Sequence, residues 1–430
     1  MRRLLIAVVL GSMLLFFGCT KADTTMEEGY WEGIVSVEEN RFFIHLRSTD
    51  TGLFLSIPEL LATDVPVQDL KISEEQWSGK VTLGTTTLRL LLAPEENGFS
   101  GKVLYNTTNG TVLLREGRYS VEYRNLTKPA RTGKTVSLET SKATLYGTLL
   151  TPEGEGPFPT VLIIAGSGPT DRDGNSELLV ENNDSLWHLA HELLDAGIAS
   201  LRYDKFAVGE SQPYDEQLLE EITFEDFVAD AVSWINYIQS GAKHAPVGII
   251  GHSEGSLIAL LAAQAEPVDF VVSVAGNGDP IGEQMIKQIR RMDSEAAKVL
   301  EKRLQEISVS QYEETGNLLV DSFIPLGKER YLQTWMKYNP TDVLRTLSVP
   351  TLVIWGDHDE RLVGEDDLFG RTNMPDTVAF SEVSNMGHLL RWAEEDADII
   401  RSYRDRDMPL HPDFLQTVTT FIKAQEGLRQ

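Results

Sequence analysis

Two rhythms of apolar and polar positions divide the chain. From about residue 28 to 125, short runs alternate between apolar and polar residues and are broken by turn formers. Residues 33–37, 41–46, 53–57 and 86–92 each read as a strand. Asn97-Gly98 and Asn109-Gly110 lie between apolar runs. Such pairs accept the positive φ of tight hairpin turns, so each predicts a reversal. No helical period is sustained, and an all-β module, a barrel or a sandwich, is predicted over 28–125. Trp31, Trp77, Phe42 and Phe54 are its expected core aromatics. Residues 126–135, with Lys128, Pro129, Arg131 and Gly133, read as a linker.

From residue 136 to 430 strands alternate with helical stretches, the pattern of a largely parallel sheet covered on both faces. The predicted strands, 160–165, 199–203, 247–251, 270–274, 351–355 and 377–383, are short and mostly apolar, as doubly buried strands should be. Between the first two, Asp184 or Ser185 is placed to cap a helix. Its apolar face is Leu186, Leu189, Ala190, Leu193 and Leu194, and Gly197 ends it. Residues 279–339 break the alternation with charged, helix-rich sequence lying between two strands, which predicts a lid.

The first residues follow neither rhythm. Behind Arg2 and Arg3 comes an uncharged apolar run of 14 residues, 4–17. A bilayer needs roughly 20 helical residues, so this run suits a signal peptide rather than a span. It ends in Phe16-Phe17-Gly18-Cys19, which resembles a bacterial lipobox with Phe16 where Leu is usual. Residues 1–18 are therefore expected to be a lipoprotein-type signal, Cys19 the lipidated first residue, and 19–27 a tether. The alternative is a non-lipidated signal with an incidental cysteine. Thr20 carries no acidic retention signal, so export with attachment to the cell envelope, on the periplasmic side or at the surface, is expected.

Charge and cysteine content narrow the chemistry. With 38 Lys and Arg against 65 Asp and Glu, the net charge of −27 repels phosphate backbones and excludes nucleic acid as the expected partner. Membrane contact is expected only through the N-terminal lipid. A single cysteine rules out an intramolecular disulfide and a cysteine-built zinc site. His188 and His191 stand three apart on a predicted helix but have no evident third ligand, so no metal is expected.

One motif names a chemistry. Gly251-His252-Ser253-Glu254-Gly255 follows an apolar strand and opens the apolar helical run 257–263. This is G-x-S-x-G in a strand–turn–helix context, a nucleophile elbow whose flanking positions need almost no side chain. A serine hydroxyl needs a base, itself oriented by an acid, and in this arrangement the chain order is Ser, acid, His. Gly356-Asp357-His358-Asp359 follows one predicted strand and Gly387-His388 the next. Asp359 fits the acid position, with Asp357 as the alternative, and His388 fits the base. The Glu254 N–H, just after the serine, is one candidate oxyanion donor. Ser167, in Gly166-Ser167-Gly168 after the strand 160–165, is the other. The lid is expected to lend Met285, Ile286, Ile289, Phe323, Leu332 and Trp335 to an acyl pocket.

These motifs together resemble bacterial α/β-hydrolases of the EstD esterase type, related to dienelactone hydrolases and serine aminopeptidases. The resemblance is carried by Gly166-Ser-Gly-Pro169, Asp171-Arg-Asp-Gly-Asn175, Arg202-Tyr-Asp-Lys205, Gly209-Glu-Ser211, the elbow and Gly387-His388. It departs where Ala165 and Phe206-Ala207-Val208 stand in place of residues many relatives share. The resemblance implies a carboxylesterase acting on short to medium acyl chains with no metal or organic cofactor. A serine peptidase of the same fold and a surface-binding lipoprotein with an inactive hydrolase domain are the competing readings.

Overall fold

The computed structural model describes residues 29–426, apart from 38–39, 58–61, 84–85, 106–107, 117–132, 177–181, 242–244, 308–314, 316, 318–319, 322–323, 325–326, 360, 363–369, 371 and 395. The expected signal peptide, Cys19 and the tether lie outside the described residues.

The N-terminal strands are β1 (Gly29–Val37), β2 (Asn40–Thr49), β3 (Gly52–Ile57), β4 (Ala62–Pro66), β5 (Gln68–Ile72), β6 (Trp77–Leu83), β7 (Thr86–Glu95), β8 (Gly98–Tyr105) and β9 (Thr108–Glu116). They form one antiparallel sheet in the order β4-β3-β2-β1-β9-β8-β7-β6-β5. The two edge strands, β4 and β5, are separated in the chain by Val67 alone, so the sheet rolls until its edges meet. This barrel leaves no long free edge. Alternate residues point inward: Val35, Ile44, Leu46, Leu55, Val81, Leu90, Val112 and Leu114 are all buried. Trp31 and Trp77 pack edge-on at 5.5 Å, with Phe99 against both. Phe54 departs from expectation. It is only half-buried and lies under the Arg47 guanidinium at 5.0 Å. The Phe42 side chain lies outside the described residues.

Asn97-Gly98 forms its hairpin, with Glu95 opposite Gly98. Asn109-Gly110 does not. The reversal falls between Tyr105 and Thr108, and Gly110 sits inside β9 opposite Val103. A Cβ at Gly110 would come within 2.3 Å of the Ser36 oxygen, so this glycine answers strand packing rather than a turn.

The second sheet contains β10 (Lys134–Glu139), β11 (Thr144–Leu150), β12 (Thr160–Ile164), β13 (Ala199–Tyr203), β14 (Val247–His252), β15 (Phe270–Val274), β16 (Thr351–Gly356) and β17 (Val378–Val383). Lys134 already pairs with Leu149, so this sheet begins two residues before the boundary read from the sequence. The strand order is β10-β11-β13-β12-β14-β15-β16-β17. Strands β12 to β17 are mutually parallel, and β11 runs against β10 and β13. On one face lie α1 (Ser185–Asp195) and a C-terminal helix, Pro412–Glu426. On the other lie α2 (Phe224–Gly241) and α3 (Glu254–Ala265). Asp184 caps α1 by position only. Its φ is 52° and its side chain makes no cap bond, because Asn175 Nδ2 donates to it at 2.6 Å and Arg406 pairs with it.

The inserted segment forms α4 (Ile281–Met292), α5 (Ser294–Ile307) and α6 (Glu329–Trp335). Its apolar face does not chiefly serve a pocket. Met285, Ile289 and Leu332 are buried in one continuous core with the barrel interior, together with Leu300 and Leu304. Ile286 packs on the same core, and Phe323 lies outside the described residues. A helical stripe reports that a face is buried, not what covers it. A second junction ties the barrel to the rest. Arg404 pairs with Glu32 and donates to His45 Nε2 at 3.1 Å, while the Tyr30 hydroxyl bonds His45 Nδ1. Burial, then the Arg404 charge, pulls the His45 pKa well below its ordinary value and keeps the ring neutral.

Candidate active site

Ser253 lies between the end of β14 and the start of α3, with φ 56° and ψ −119°. A non-glycine residue in that region is strained and must be held by its surroundings. The holding is steric. A Cβ on Gly251 would fall 2.1 Å from the Gly255 oxygen, and one on Gly255 would fall 2.4 Å from the Ile164 oxygen. Both positions therefore require glycine, and the Ser253 N–H is fixed to Val274 O at 2.9 Å.

His388 follows β17 and Asp359 follows β16, so both stand at the carboxyl edge of the sheet with Ser253. His388 Nδ1 donates to both Asp359 oxygens at 2.9 Å. The same carboxylate accepts from the N–H groups of Arg361 (2.9 Å) and Leu362 (3.2 Å), and its side chain is 1% exposed. Asp357 points elsewhere. Its Oδ1 accepts from His358 Nδ1 at 2.7 Å and from the Asn385 N–H at 2.6 Å, and its side chain is 33% exposed. His252 supports the base from behind. Its Nε2 donates to the His388 carbonyl at 2.9 Å. Burial, with His388 beside it, pushes its pKa down to about 4, so it stays neutral. His188 bonds the Arg406 carbonyl and His191 the Trp187 carbonyl, so these two rings do not converge.

Ser167, Ser253, Glu254 and His388 line one open cleft. Of the lid residues expected there, Trp335 lines it; Ile281 and Gln284 of α4 and Asn277, Asp279, Arg361 and Leu362 also do. Sequence reasoning missed these last six. Most stand on irregular segments after β15 and β16, where no periodicity marks a face.

The Asp171–Asn175 loop shares a buried polar network with Arg202 of β13 and the segment after that strand. Arg172 pairs with Asp204 at 2.5 Å and Glu210 at 2.7 Å, and Arg202 Nε donates to Asp173 at 2.7 Å. Burial, with Asp173 and Asp204 adjacent, pushes the Asp171 carboxyl up to about 7 although two backbone N–H groups donate to it. The folded group keeps its proton up to about 7, whereas an ordinary Asp releases it near 3.8. The folded state therefore binds more protons in that window, and stability falls as pH rises through it. Asp171→Asn keeps the acceptor oxygen and removes the titration. Its Tm should fall less than the wild type's between about pH 5 and about pH 8; equal falls would refute the assignment.

An eight-stranded sheet in this order, with a strained serine at the end of its fifth strand, is the α/β-hydrolase fold. A sequence profile described as serine aminopeptidase, S33, matches residues 179–345. The chain is 26% identical over 257 residues to Esterase EstD of Thermotoga maritima, across 56% of this chain and 58% of that esterase. The chain thus spans under two thirds of the length of that curated relative, and the match bears out the resemblance read from the motifs. Among solved structures, ferulic acid-bound Est1E from Butyrivibrio proteoclasticus aligns at TM-score 0.44 and 17% identity, covering 67% of this chain and 98% of that one. Proline iminopeptidase of Mycobacterium smegmatis aligns at TM-score 0.44 and 15% identity, covering 69% and 100%.

Proposed function

We propose that the protein is a serine carboxylesterase for short to medium acyl chains, working through an acyl-enzyme. The observation that carries this reading is the strained Ser253 in one cleft with His388, whose far nitrogen is held by Asp359. His388 Nε2 takes the Ser253 proton as Oγ attacks the ester carbonyl. The Glu254 and Ser167 N–H groups receive the oxyanion, and His388 returns the proton to the leaving alcohol. Water then repeats the sequence on the acyl-enzyme. Asp359 keeps the imidazole in the tautomer that leaves Nε2 free to accept.

The peptidase reading draws on the serine aminopeptidase profile match. Reading a substrate amine calls for an unpaired carboxylate in the cleft. Among the described lining residues, Asp279 pairs with Lys287 at 2.6 Å and Glu254 with Lys205 at 2.9 Å, which favours esters. Purified chain should hydrolyse p-nitrophenyl esters, with kcat/KM falling as the acyl chain lengthens, and leave aminoacyl amides intact. Faster cleavage of the amides would replace the esterase reading by the peptidase one.

A further inference from the structure

Lys205 follows β13 and is 2% exposed. A buried ammonium needs partners; one of its partners, Glu254, lines the cleft, and the other, Gly166, precedes Ser167, which does. Its Nζ donates to the Gly166 carbonyl at 2.6 Å and to Glu254 Oε1 at 2.9 Å, and it lies 5.4 Å from the centre of the Phe227 ring. Glu254 follows Ser253 in the chain. Gly166 sits over the elbow, since a Cβ there would come 3.2 Å from Ser253 Cβ.

We infer that Lys205 is a positioning residue for the oxyanion loop, aiming and polarising the Ser167 N–H by gripping the carbonyl of the same peptide. The inference rests on the esterase reading and on Ser167 N–H as an oxyanion donor. A trans peptide is a rigid plane with its C=O and N–H on opposite sides, so fixing the Gly166 oxygen fixes the direction of the Ser167 N–H. A cation on the oxygen draws density from the amide and makes its N–H a stronger donor. Glu254 neutralises the cation without competing for that carbonyl, and Glu254 itself carries the other donor N–H. One ion pair therefore sets the spacing of both donors. From α6 the Tyr331 hydroxyl bonds the Glu254 carboxylate, and burial pushes its pKa well above the ordinary phenol value, so it stays a donor.

A purely structural ion pair would affect stability without acting selectively on the oxyanion. The test is the double variant Lys205→Met/Glu254→Gln, which removes both charges and leaves none unpaired, assayed on the full chain. KM should stay within about 3-fold while kcat falls about 10–100-fold. The Ki of a trifluoromethyl ketone, which forms a hemiketal oxyanion on the serine, should rise by the same factor. Native kcat and Ki, or a loss of kcat with unchanged Ki, would overturn the inference. If the double variant does not fold, Lys205→Gln, which keeps a neutral donor, is read by the same two constants. Ser253→Ala separates the levels: if it retains turnover the esterase mechanism itself fails, and if it is inactive beside a native-like double variant only the role of Lys205 fails.

Discussion

Ser253→Ala is expected to lose all labelling by a fluorophosphonate probe and at least about 10³-fold in kcat/KM. The fold should survive, because the strain at this position lies in the backbone and is imposed by contacts of Gly251 and Gly255, not by the hydroxyl. Alanine has the same φ preference as serine, so no new backbone penalty arises. Activity of wild-type magnitude in a folded Ser253→Ala chain would remove the nucleophile and the acyl-enzyme from the mechanism.

Asp359→Asn should cost about 10⁴-fold in kcat, the loss that follows when an amide replaces the carboxylate and the imidazole settles in the wrong tautomer. Asp357→Asn should cost only a few-fold. The difference follows from geometry. Both oxygens of Asp359 meet His388 Nδ1 at 2.9 Å, while Asp357 is occupied by His358 and the Asn385 N–H. Steady-state kinetics of the two variants at one pH suffice. The reverse ranking would transfer the acid role to Asp357.

The elbow was legible in the sequence because sterics dictate it. Gly251 and Gly255 stand where any Cβ would meet backbone oxygens within 2.4 Å, and the apolar runs on either side mark a buried strand and helix. The positions of Asp359 and His388 after successive strands were legible for the same reason, since strand ends in a parallel sheet share one edge. Strand order was not: β12 and β13 exchange places in the sheet, which no local pattern encodes. Gly110 misled because a glycine needed for close packing looks like one needed for a turn. Met285 and Ile289 misled differently, as their spacing foretold burial but not its partner. Lys205 lies within the Arg202-Tyr-Asp-Lys205 stretch, where local sequence gives it no role, and only the fold brings its ammonium to the Gly166 carbonyl.

The apolar interior that the barrel shares with α4, α5 and α6 makes the N-terminal module a poor subject for exchange. Transplanted onto another hydrolase sheet, it would arrive with an uncovered greasy face and no matching helices to close it. Shortening the insertion would strip cover from the barrel as surely as from the cleft. Drift in Ile289 or Leu300 is answerable to residues some 250 positions earlier in the chain, such as Ile44 and Leu46. Barrel and insertion are therefore expected to have been acquired, and to be inherited, as a single piece of the molecule.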